Sequence, residues 1–171
     1  MKFYIFIMSV LLGSLLTFSA EHEHRQHEAH VHGGAKLSIA FDNTKGEIEF
    51  RAAAEGVLGF EHQAKSKEDK IKLAKTISVF EKEITQMVKF EKQLACEIRK
   101  KEINMKMEKG SHHSDFIATY NVECNKNPQG TKLDFDFTQF NKLNDIDVVI
   151  LIGDLQKSIE LKKAPVSIEL K

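Results

Sequence analysis

The sequence carries no surplus of charge of either sign: 25 lysines and arginines stand against 25 aspartates and glutamates in 171 residues. A nucleic-acid binder normally shows a basic excess, and an acidic disordered chain shows the opposite, so neither class is expected. No glycine-rich phosphate loop and no His-Glu-x-x-His pair occurs. Beyond the extreme N-terminus, no apolar run is long enough to cross a bilayer. Cysteine is scarce, with only Cys96 and Cys124. What remains is ordinary for a soluble globular chain, with 42% apolar and 29% charged residues. The length suits one domain with a tail.

Residues 1–20 read as a secretory signal peptide. Lys2 supplies the positive start, residues 3–18 are almost wholly apolar, and the small Ser19 and Ala20 precede a polar stretch. No cysteine follows the apolar run, so a lipoprotein anchor is not indicated. With the signal cleaved, no membrane span is expected. Export changes the meaning of the cysteines, because an even pair in an oxidising compartment points to a disulfide between Cys96 and Cys124. A bridge would leave no thiol for a cysteine-rich zinc site or a nucleophile. No serine is marked as activated, so no enzyme is expected.

Hydrophobic patterning divides the rest. Residues 21–32 are polar and aperiodic and read as a flexible, histidine-rich segment, followed by a single domain over 33–171. Leu37, Ile39 and Phe41 alternate with polar or small residues, as do Ile48 and Phe50 after the turn chemistry of 42–46. This predicts a hairpin. The stretch 52–64 reads as a loop with Leu58 and Phe60 turned inward. Ser66 reads as a helix N-cap. Ile71, Ala74, Ile77, Phe80, Ile84 and Met87 then recur at spacings of three and four, which predicts one amphipathic helix over about 67–89. After Leu94 the period returns to two. Strands are expected over 96–101, 116–124, 133–137 and 146–152, then at 158–161 and 166–170, with a polar loop over 106–114. Apolar residues on both faces of 146–152 imply a strand buried on both sides. The fold class is α+β: a mainly antiparallel β-sheet, of six to eight strands in all, with one long amphipathic helix packed on it.

Histidine is distributed unevenly, since five of the eight lie between His22 and His32. His22, His24, His27, His30 and His32 stand among Glu21, Glu23 and Glu28, and imidazole with carboxylate suits zinc, copper or nickel. A solvated polar tail is the bland alternative. His30 and His32 lie two apart just before the first strand, so in extended chain both face the same side. Glu61-His62 precedes the helix, and His112-His113-Ser114-Asp115 leads into a strand. Met105 and Met107 stand near that pair, where a thioether would favour Cu(I) or would simply fill one face of a strand end.

His30-Val31-His32-Gly33 before a strand, Gly59-Phe60-Glu61-His62 before a helix, and His113-x-Asp115-Phe116 leading through Tyr120 to Cys124 occur in that order. Together they resemble the ZrgA family of secreted bacterial proteins linked to zinc uptake, over about residues 26–161. The resemblance implies periplasmic zinc binding, with ligand roles for His30, His32, His62 and His113 and with Asp115 and Glu61 as further partners. His22, His24, His27 and His112 form a looser capture set. Family members often carry a long histidine-rich insert before the His-x-Asp-Phe motif. Here it shrinks to Ser111-His112-His113, which implies a defined site rather than storage in that loop. The expected function is capture of Zn(II) in the periplasm in support of zinc uptake and homeostasis, with zinc-importer components as partners and no nucleic acid. The alternatives are a copper-handling protein, or a structural interaction domain with an incidental histidine tail.

Overall fold

The computed structural model describes residues 33–107, 113–162 and 165–171. The expected signal segment (1–20) and the 21–32 segment therefore lie outside the described residues. The chain opens with a hairpin of β1 (Gly34–Asp42) and β2 (Lys45–Ala53), paired from Asp42↔Lys45 to Ala35↔Ala52. A short helix, α1 (Ala54–Leu58), follows directly, where the sequence predicted only loop. Leu58 and Phe60 are buried, as expected. The long helix α2 (Lys67–Met87) starts where predicted, because the Ser66 side chain accepts the Asp69 N–H, and Glu68 and Asp69 meet the positive end of the helix dipole.

The helix runs directly into β3 (Val88–Phe90). A 3-10 turn (Lys92–Leu94) leads to β4 (Glu97–Met107), which extends into the stretch predicted as loop. Then come β5 (Ser114–Glu123), β6 (Lys132–Phe135), β7 (Asp145–Ile152), β8 (Leu155–Leu161) and β9 (Val166–Glu169). Nine strands among the described residues form two sheets, ordered β4-β5-β2-β1-β7-β8 and β3-β6-β9. All pairings are antiparallel except β1 with β7. The α+β expectation therefore holds, with a second sheet that the periodicity did not separate.

Alternation sorts the large sheet into two faces. Leu37, Ile39, Ile48, Phe50, Phe116, Ala118, Tyr120, Val148 and Ile150 are buried on the inner one. There α2 lays Phe80 among the rings of Phe50, Phe116 and Phe140, at 5.0, 4.8 and 5.0 Å. The Tyr120 hydroxyl donates to the Phe80 carbonyl at 2.9 Å, and burial pushes the phenol's pKa upward. The small sheet joins the same core through Leu133, Phe135 and the Phe41–Phe90 ring contact.

Two burial expectations are corrected. Ile71, 58% exposed, and Ala74 face solvent, because α2 turns Leu73, Thr76, Ile77, Phe80, Ile84 and Met87 towards the core and its N-terminal half lies at the margin of it. In β7 the outward residues Val149 and Leu151 are exposed, Leu151 by 44%. Hydrogen-bonded neighbours on both edges shield a strand's backbone but cover neither of its faces.

Cys96 and Cys124 are bonded, just outside the paired ends Glu97↔Glu123 of β4 and β5. The bridge joins residues 28 apart. In the chain-entropy account it contributes about 3–4 kcal/mol by restricting the unfolded chain. Reduction of the folded protein is expected to lower its unfolding free energy by about that much, read from urea titrations with and without reductant.

Candidate metal-binding site

Strand register decides which loops meet. Ala53 at the end of β2 pairs with Asp115 at the start of β5, and Gly34 at the start of β1 pairs with Asp145 at the start of β7. These strand ends therefore share one end of the large sheet. The α1 helix leaves β2 there and stops at Gly59, whose left-handed backbone (φ 78°) lets its N–H cap Glu55 O at 2.8 Å. A side chain here would be strained. Beyond this turn Glu61 meets His113 and Ser114 at the beginning of β5, residues more than fifty positions away in the chain.

Glu61 Oε2 lies 2.7 Å from His113 Nδ1. The buried Ser114 hydroxyl donates to the Glu61 carbonyl oxygen at 2.6 Å and lies 2.7 Å from Met107 Sδ. His62 turns the other way: its Nε2 is 3.2 Å from Asp69 Oδ2 in the first turn of α2, and its ring stands 5.0 Å from that of Phe60. The Asp69 carboxyl is held below the usual carboxylate range, first by hydrogen bonding with the Ser66 side chain and then by His62. Asp115 is buried, with Oδ2 3.5 Å from Arg51 Nη1.

Glu61 thus pairs with His113 and Asp69 with His62, two separate carboxylate–imidazole pairs. Asp115 faces a guanidinium, a competitor for the carboxylate that the sequence reading missed. Asp69 was read only as a complement to the helix dipole, and its spacing from His62 carries no local motif. His30 and His32, and His22, His24, His27 and His112 with them, lie outside the described residues. Among the described residues, no group of three or more His, Cys, Asp or Glu side chains forms a cage for one ion. Met105 packs against the core as a strand-face residue, whereas Met107 is exposed. A depression of about 270 Å³ is lined by Gly33, Glu55, Gly56, Lys142 and Asn144. No helix among the described residues is long and apolar enough to cross a membrane.

A family model described as ZrgA family zinc uptake protein matches residues 29–170. No curated protein matches the chain.

Proposed function

This chain belongs to the ZrgA family of zinc uptake proteins, and on that premise we propose that it is a periplasmic zinc-binding protein that captures Zn(II) and passes it towards importer components. It makes and breaks no covalent bond in this reading. The observation that carries the proposal is the pairing of His113 with Glu61, from segments distant in the chain, with its imidazole and that of His62 both exposed enough to exchange an ion. Imidazole nitrogen is a favoured zinc ligand. The Cys96–Cys124 bridge supports an extracytoplasmic location, where disulfides persist.

Zinc titration of residues 21–171 against a chelator of known affinity tests the proposal. A ligating imidazole must be unprotonated, and the ordinary imidazole pKa is about 6.5. Affinity should therefore fall, with proton release on binding, as the pH drops from about 7.5 to about 5. An affinity unchanged over that interval would overturn histidine ligation. Copper(I) handling is the second reading, favoured by the exposed Met107 thioether beside Ser114 and next to His113. Parallel titration with copper, and elemental analysis of the protein purified with its native metal, separate the two.

A further inference from the structure

We propose that β8 is a docking edge for a second copy of this chain. It pairs antiparallel with its own counterpart, so that the two large sheets run into one another across a two-fold axis at Ser158. The proposal concerns an interaction surface and is independent of the zinc reading.

An edge strand offers a row of unmet N–H and C=O groups, and native chains blunt such edges by shortness, charge, proline or a bulge. Three of the four sheet edges are blunted in these ways. β4, at one end of the large sheet, carries Arg99, Lys100, Lys101 and Glu102 in succession, and its register shifts between Lys100 and Glu102. In the small sheet β3 has three residues, while β9 has four and follows Pro165. β8, at the other end of the large sheet, is different. Its seven residues pair with β7 without a shift and include no proline, and no other described strand pairs with it. Its one cation, Lys157, already donates to the Glu169 carbonyl oxygen.

The margin beside this edge is apolar on its inner side. Register with the buried Ile152 and Val148 places Leu155 and Ile159 there. Both are only partly buried, as are Val166 and Ile168 of β9. A second β8 brings facing side chains into contact with this margin.

The sequence of β8 is also complementary to itself. Two copies fully overlapped about Ser158 set Leu155 opposite Leu161, Gln156 opposite Glu160 and Lys157 opposite Ile159. Just beyond the strand the exposed Asp154 comes opposite the exposed Lys162 of the second copy, so an ion pair closes each end. Within its own chain Asp154 has a long contact to the Gln129 amide, 3.3 Å, and Lys162 stands 3.8 Å from Glu160. The Gln156 amide offers a donor to Glu160, whose neighbour across β7 is the like-charged Asp147. No like charges face each other in this register. Centring the pair on Lys157 instead sets lysine against lysine and Asp154 against Glu160, and centring it on Ile159 shortens the overlap.

Analytical ultracentrifugation of the exported chain, disulfide intact, over about 1 μM to 1 mM tests the pairing. A monomer–dimer equilibrium is expected. Ser158→Glu changes an exposed residue, sets two carboxylates face to face at the axis, and should leave monomer alone with an unchanged circular dichroism spectrum. Asp154→Lys and Lys162→Glu should each weaken the dimer severalfold by placing like charges at both ends, and the two together should restore it. Ser158→Cys should crosslink to itself under mild oxidation, because facing residues of antiparallel strands lie about 4.5–5.5 Å apart at Cα, within disulfide reach. A chain that stays monomeric throughout overturns the proposal and leaves the edge to a strand of another protein. A dimer indifferent to Ser158→Glu, charge reversals whose combination fails to restore association, or no crosslink at position 158 overturns it as well.

Discussion

Combined replacement of His62 and His113 by alanine is expected to remove the tightest zinc site. The loss should exceed about a hundredfold, because direct ligands contribute more than the roughly 10–100-fold of their outer partners. Deletion of residues 21–28 should instead lower the number of ions bound and spare that site. The difference lies in ordering cost. The stretch around His22, His24 and His27 has no apolar periodicity, so an ion held there must order backbone at about 1–2 kcal/mol per residue. The loop at 60–62 and the start of β5 are already placed by the sheet, by Gly59 and by the Ser114–Glu61 hydrogen bond. Competition titrations of the two variants, with circular dichroism to check the fold, decide the matter. A tight site lost with the tail and kept in the double variant would make the protein a folded carrier of a histidine-rich segment.

The largest effect on stability is expected from Phe80→Ala, at about 3–5 kcal/mol. Phe80 is fully buried and touches the rings of Phe50 on β2, Phe116 on β5 and Phe140. Truncation leaves a cavity where α2 meets the sheet. The Tyr120 hydrogen bond to the Phe80 main-chain carbonyl can persist, so the loss measures packing. Domains of ordinary stability have only about 5–15 kcal/mol to lose. Urea unfolding with the disulfide intact should show the midpoint falling sharply; a change below about 1 kcal/mol would mean that α2 does not close the core as described.

Much of this was written in local pattern. Period-two alternation marked β1, β2, β5 and β7, and spacings of three and four marked α2, because those periods follow directly from how side chains leave a strand and a helix. The cap at Ser66 and the Cys96–Cys124 pair were legible for similar reasons: one is a bond across three residues, the other an even cysteine count that an expected export would turn into a bridge. The sequence also named Glu61, His62 and His113 as candidates. It did not foresee the second sheet, the parallel pairing of β1 with β7, the exposure of Ile71 and Leu151, or the partners of the candidate residues. Arg51 beside Asp115 and Glu61 beside His113 follow from strand register and from the backbone turn at Gly59, and Asp69 beside His62 from how the chain enters α2. Hydrophobic periodicity says which face of an element is buried, but it says nothing about which element lies against that face. Those choices are made by contacts between segments far apart in the chain, and only the tertiary structure decides them.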